Sequence, residues 1–210
     1  MNYTKEINKY CETNSTQHSE ILNALERETN LKTLAPQMLS GQLQGTFLSM
    51  LSKILQPKVI VEIGTFTGYS AICLAQGLAK GGTLHTIEAN PELQVISQKY
   101  FEQAKLTTKI NLHTGKAEDI LSTLDLSFDL VFIDAAKTLY PLFYDLVIDK
   151  VPSGGIILAD NALWSGKVLA ENKDADTQAI HNFNQKIQAD ERVENVLLPL
   201  RDGIMMIRKL

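Results

Sequence analysis

The sequence predicts an α/β chain: a doubly wound, mostly parallel sheet of seven strands whose last strand is antiparallel, with a helical extension at the N-terminus. Three observations predict it. A β-branched run, Val59-Ile60-Val61-Glu62-Ile63, is followed by Gly64, three residues and Gly68, and then by a helical pattern opening at Tyr69. After Glu88, strand and helix patterns alternate regularly, as in a parallel sheet wound with crossover helices. Two further strand-like runs, 193–198 and 203–208, close the chain through a turn over Pro199 to Asp202. These patterns divide the chain into a helical extension, residues 1–57, and a sheet region, residues 58–210.

In the extension, Ile21, Leu22 and Leu25 lie among Glu20, Glu26, Arg27 and Glu28, an amphipathic helix whose apolar stripe needs either the sheet region or a second subunit. A breaker-rich stretch from Ala35 to Thr46 leads into a helix from Phe47 to Leu55, which ends before Pro57. Met38 and Ser40 stand just ahead of the first strand, where they either line a ligand pocket or pack in a loop.

The strand, glycine turn and helix start from Val59 to Ala75 form a mononucleotide-binding unit, with free amides at the helix N-terminus. The spacing Gly64-x-x-x-Gly68 is not the G-x-G-x-x-G of a dinucleotide site, and the bulk of Thr65 and Phe66 disfavours a pyrophosphate seat. Glu62 places a carboxylate where a ligand with an ammonium or sulfonium suits it. Glu88 ends the next apolar run at the spacing that holds a ribose. Together they favour S-adenosylmethionine over NAD; the plainer reading is two loop carboxylates beside a structural turn.

Beyond Glu88, Pro91 opens a helix to about Lys105, Ile110 to His113 is a short strand, and Gly115-Lys116-Ala117-Glu118-Asp119 starts another helix. Glu118 either accepts an adenine amino group or complements the helix dipole. The apolar run after Asp129 is a central strand that delivers Asp134 at its carboxyl end, and Gly154 to Ala159 delivers Asp160 and Asn161 to the same edge. Two carboxylates and an amide oxygen make an all-oxygen set suited to Mg²⁺ or Ca²⁺, and the absence of His or Cys disfavours zinc. A cap at Asp134 and a turn at Asp160-Asn161 are the alternatives. Lys137, one helical turn beyond Asp134, is the available base, since a neighbouring cation favours the uncharged amine that a base needs; otherwise it is an exposed lysine. Trp164 either stacks on an aromatic substrate or anchors a loop. Asp174 begins the last helix, and His18, His85, His113 and His181 are scattered and carry no assigned chemistry.

At 210 residues, 44% hydrophobic and 21% charged, the chain can bury one sizeable core. A formal net charge of -4 and a pI near 5.6 argue against nucleic acid or an anionic membrane as partner. Cys11 and Cys73 lack metal-ligand spacing and point to a reducing compartment. The opening residues lack the apolar core of a leader and no run reaches membrane-spanning length, so the expected location is cytoplasmic.

Three motifs, Glu62-Ile-Gly-Thr-Phe-Thr-Gly-Tyr-Ser, Phe132-Ile-Asp-Ala-Ala-Lys and Leu158-Ala-Asp-Asn-Ala-Leu-Trp-Ser-Gly-Lys, resemble those of the cation-dependent, S-adenosylmethionine-dependent O-methyltransferases, the group of the catechol and caffeoyl-CoA enzymes. The resemblance runs from about Gln37 to the C-terminus and implies a Rossmann-like methyltransferase domain over 58–210. It implies that Met38, Glu62, Gly64, Phe66 and Asp134 line the cofactor, that Ser70 receives its carboxylate, that Glu88 holds the ribose, and that Ala117 and Glu118 flank the adenine. It further implies that Asp134, Asp160 and Asn161 hold the cation, that Lys137 is catalytic, and that the N-terminal helices serve substrate choice and a homodimer. The acceptor it implies is a phenolic small molecule, catechol-like or hydroxycinnamoyl. A same-family enzyme acting on a hydroxylated tRNA base is the alternative within the family. Outside it stand a non-catalytic binding module and an NAD oxidoreductase.

Overall fold

The computed structural model describes residues 5–210; Met1 to Thr4, where the leader reading begins, lie outside them. The strands are β1 (Val59–Ile63), β2 (Thr83–Glu88), β3 (Ile110–Thr114), β4 (Leu130–Ile133), β5 (Ile156–Ala159), β6 (Val193–Leu198) and β7 (Ile204–Lys209). They form one seven-stranded sheet in the order β3-β2-β1-β4-β5-β7-β6. Neighbours among β1 to β5 are parallel, and β7 is antiparallel to both β5 and β6, as expected from the sequence. The chain winds outward from β1 to β3 and then returns to place β4 on the other side of β1. That reversal opens a crevice at the carboxyl ends of β1 and β4. Asp129 fixes the amino ends of the same two strands, its Oδ2 accepting the N–H groups of Lys58 and Val59 at 2.8 and 2.9 Å.

The helices are α1 (Lys5–Thr13), α2 (Glu20–Lys32), α3 (Gly41–Leu55), α4 (Tyr69–Ala75), α5 (Gln94–Gln103), α6 (Ala117–Thr123), α7 (Tyr140–Ile148) and α8 (Ala175–Gln188). Strand alternation divides the core. Val61, Ile63, Val131, Ile133 and Ile157 pack with Tyr140, Phe143, Tyr144 and Phe183 of α7 and α8. Ile60, Leu84, Leu130, Phe132 and Leu158 pack on the other face with Leu48 and Leu74, and Leu22 and Leu25 of α2 join that cluster over α4 and α5, so the amphipathic stripe of the extension is covered by the chain's own helices.

Two sequence expectations are corrected. Helix α3 begins at Gly41, not after Thr46. Glycine weakens a helix by about 1 kcal/mol relative to alanine, yet here Gly45 is what lets α3 close on α4. A Cβ on it would lie 2.9 Å from Cys73 Sγ, His18 Cε1 and Tyr69 Cε1. The histidines are not all scattered: His85 Nδ1 and His113 Nε2, on adjacent strands, are 3.0 Å apart with their rings stacked. Among the described residues no helix is long and apolar enough to cross a membrane.

Candidate functional site

A cleft of about 860 Å³ opens at the carboxyl ends of β1, β2, β4 and β5. Met38, Ser40, Gly64, Phe66, Ser70, Glu88, Ala117, Glu118, Asp134, Lys137, Asp160, Asn161 and Trp164 all line it. Residues separated by more than a hundred positions thus reach one cavity because parallel strands end on the same edge.

The turn after β1 is built by backbone. The N–H groups of Gly64 and Thr65 donate to Ile87 O at 2.9 and 3.2 Å, tying the turn to β2. Phe66 N donates to Glu88 Oε2 at 2.7 Å and Asn90 N to Glu88 Oε1 at 2.9 Å, so Glu88 is held between two amides and keeps further lone pairs for a ligand hydroxyl. Gly64 has φ +103°, and a Cβ there would stand 1.8 Å from the carbonyl oxygen of Asp134. Gly68, at φ +92°, would bring a Cβ within 2.6 Å of the Phe101 ring. In both cases the close approach is to protein: the Asp134 main chain at Gly64 and the Phe101 ring at Gly68.

Glu62, expected beside the cofactor, lies behind the wall of the open cleft and does not line it. It shares a strand face with Ile60, so its side chain lies under the start of α4, near Ser70, with no exposed surface. Thr86 Oγ1 donates to its Oε2 at 2.5 Å, while Oε1 makes no hydrogen bond of good geometry, although the Ser70 hydroxyl and Thr86 both draw the acid partly back down. Burial dominates and pushes the carboxyl up to about 8. Near neutral pH this buried acid keeps its proton, so it adds no full negative charge behind the cleft wall. With its folded-state proton affinity raised, the stability this group contributes is present below its usual value of 4.5 and is lost as pH climbs toward about 8. Glu62→Gln is thus expected to melt a few degrees above the wild type at pH 8.5 and level with it near pH 5. Coincident melting curves at the higher pH would contradict this.

The second half of the site sits on β4 and β5. Asp134 N donates to Ile63 O and Asp160 N to Ile133 O, each at 2.9 Å, so each strand tip is hooked to the strand before it. Asp160 is fully buried; Gln44 Nε2 donates to its Oδ2 and Asn161 N to its Oδ1, both at 2.7 Å. Burial, then the charge of Asp134, push its carboxyl up to about 6. Asn161 adopts φ +57°, and its Nδ2 donates to Asp202 Oδ2 at 3.3 Å, leaving the amide oxygen as its free acceptor. Two mutually repelling carboxylates and an amide oxygen fit a hard divalent cation, which would relieve the repulsion. Among the described residues no group of three or more His, Cys, Asp or Glu is placed to hold a metal ion.

Lys137 opens a 3-10 turn next to this set. Its Nζ lies 2.8 Å from both Asp134 Oδ1 and Tyr140 Oη, and 5.9 Å from the centre of the Trp164 ring. Tyr140 is fully buried, and its hydroxyl faces the carbonyl oxygens of Asp160 and Ile133 at 3.1 and 3.3 Å. Burial, then Asp134 and Asp160, hold this phenol well above its ordinary range, so it keeps its proton.

Four residues here escaped the sequence reading: Gln44, Tyr140, Arg201 and Asp202. Arg201 donates to Gln44 Oε1 at 3.3 Å and to Gln37 O at 2.9 Å, bracing the amide that holds Asp160. Only Tyr140, three residues after Lys137, had a local signal.

The family model described as O-methyltransferase matches residues 12–210. A Niastella koreensis protein named catechol O-methyltransferase is 38% identical over 162 residues, 75% of this chain and 73% of its own. A probable caffeoyl-CoA O-methyltransferase 2 of Dictyostelium discoideum is 33% identical, covering 99% of this chain and 93% of its own. Among solved structures, the SAH-bound Podospora anserina methyltransferase superposes with TM-score 0.90 at 29% identity, over 98% of this chain and 94% of that one. The Bacillus cereus O-methyltransferase in complex with SAH gives 0.89 at 29%, over 97% of each chain.

Proposed function

The chain belongs to the O-methyltransferase family, and from that footing we propose that it is a divalent-cation-dependent enzyme moving a methyl group from S-adenosylmethionine to one hydroxyl of a catechol-like or hydroxycinnamoyl small molecule. The observation that carries the reading is the meeting of Asp134, Asp160, Asn161 and Lys137 in the cleft that the Gly64 turn also lines.

S-adenosylmethionine supplies an electrophilic methyl on a sulfonium. A cation held by Asp134, Asp160 and Asn161 supplies positive charge that lowers a bound phenol from about 10 toward neutrality. The chain's own residues do the rest. Gly64, Phe66 and Ser70 form the wall for the donor, with Glu88 placed for its ribose and Ala117 and Glu118 for its adenine. Met38 closes the donor side and Trp164 offers an aromatic face to the acceptor. Lys137, as the uncharged amine, takes the hydroxyl proton, which then rests on Nζ between Asp134 Oδ1 and Tyr140 Oη. Holding donor and acceptor in line supplies a large share of the rate, an effect that reaches about 7–11 kcal/mol. Exposed Leu31 and Ile54 support a homodimer through the N-terminal helices, and the net charge of -4 supports a small acceptor over tRNA.

Methyl transfer to catechols, hydroxycinnamoyl esters and undermodified tRNA, with Mg²⁺ and with excess chelator, tests the reading. Turnover of a catechol or hydroxycinnamoyl acceptor that falls at least ~100-fold in chelator is expected, on the scale of a lost Lewis acid. Undiminished turnover in chelator overturns the cation, and methylation of tRNA alone overturns the acceptor.

A further inference from the structure

We propose that Arg201 is the anchor for a carboxylate on the methyl acceptor, so that the preferred acceptors are catechols that carry an acid group. The assignment rests on the catechol reading above and narrows it.

Arg201 lines the cleft together with Asn161 and Trp164 and keeps 32% of its side chain exposed. Its mount is rigid. The residue sits at φ +52° in the β6–β7 turn, closed by Gly203 N donating to Leu200 O at 2.9 Å. That turn is pinned to the segment after β5: Ala162 N donates to Gly203 O and Leu163 N to Asp202 O, each at 2.9 Å. A Cβ on Gly203 would meet Leu163 Cγ at 2.5 Å, so the two segments are in close contact. The base of Arg201 is therefore fixed relative to Asn161 and Trp164, as a specificity residue requires.

Its guanidinium is underused. Of five N–H donors, two are spent among the described residues, on Gln44 Oε1 and Gln37 O, which leaves three. Both acceptors are neutral. The carboxylate nearest to it, Asp160 Oδ2, is 4.0 Å away and already accepts from Gln44, and Asp202 accepts from Asn161 and the Ser165 amide. The other cations of the cleft are placed differently: Lys137 is bonded to Asp134, and Lys116 follows β3, at the far edge of the sheet. An acceptor whose two oxygens face Asp134, Asp160 and Asn161 brings its ring beside Arg201, and a planar fork with free donors suits a ring carboxylate.

A brace for Gln44 alone would affect every acceptor alike, so the readout is a ratio. Steady-state methylation of 3,4-dihydroxybenzoate and of 3,4-dihydroxybenzamide with Mg²⁺ should show the wild type favouring the acid by about tenfold or more in kcat/KM, mainly through KM. Arg201→Gln should bring that ratio to about one, and Arg201→Lys should retain part of it. Equal kcat/KM for the two acceptors in the wild type, or a preference that survives in Arg201→Gln, overturns the anchor and leaves the catechol reading standing. Failure of the wild type to methylate either compound overturns the catechol reading, and the anchor with it.

Discussion

Gly64→Ala is expected to destabilise the protein by about 4 kcal/mol and to abolish binding of S-adenosylmethionine, because two costs add at one position. A side chain at φ +103° costs about 1–2 kcal/mol from backbone sterics alone. The new Cβ would also stand 1.8 Å from Asp134 O, an overlap relieved only by driving β4 away from β1, for another 1–3 kcal/mol or more on the scale of overpacked cores. Against a typical domain stability of about 5–15 kcal/mol this is a large fraction, and at roughly 2–4 °C per kcal/mol it lowers the melting temperature by about 10 °C. Gly154→Ala is the control: φ is +85° but nothing lies within 4 Å of the added atom, so only the first cost applies. Thermal melts with calorimetric titration of the donor measure both effects, and a Gly64→Ala protein that melts with Gly154→Ala would remove the close approach of β1 and β4 from the account.

That contact also shows what sequence can and cannot reveal. The tips of β4 and β5 were legible because Leu130–Ile133 and Ile156–Ala159 are apolar runs broken by a polar residue, and parallel strands must end on one edge. The antiparallel last strand followed from a short turn after β6. Gln44 was not legible, since it precedes a helix-interior glycine, and its partner Asp160 lies 116 residues away. Arg201 read as a turn residue because nothing local says that the β6–β7 turn folds against the segment after β5. The burial of Glu62 follows from period-two alternation, which puts it on the strand face of Ile60, whereas Gly64 reaches the open edge.

Asp160→Asn is expected to separate activity from stability, cutting turnover by about a thousandfold or more while leaving the metal-free protein no less stable at pH 8. Loss of a ligand forfeits several kcal/mol of charge stabilisation, at about 1.36 kcal/mol per tenfold in rate. Stability follows the other sign. Burial and the facing charge of Asp134 raise the carboxyl from 3.8 to about 6, so its contribution is present below the lower value and lost as pH rises through the upper one. At pH 8 the wild type carries a buried charge costing about 3 kcal/mol at most, from a separation of about two pH units. Asparagine carries none and still accepts from Asn161 N, although Gln44 must turn its amide and give up its bond to Arg201, which offsets some of the gain. Magnesium should raise the melting temperature of the wild type at pH 8 and not that of the variant, since only an ion that binds the folded state stabilises it. A variant that melts well below the wild type in chelator at pH 8 would make Asp160 a structural acceptor for Gln44, and the repulsion between two carboxylates would no longer argue for a cation between them.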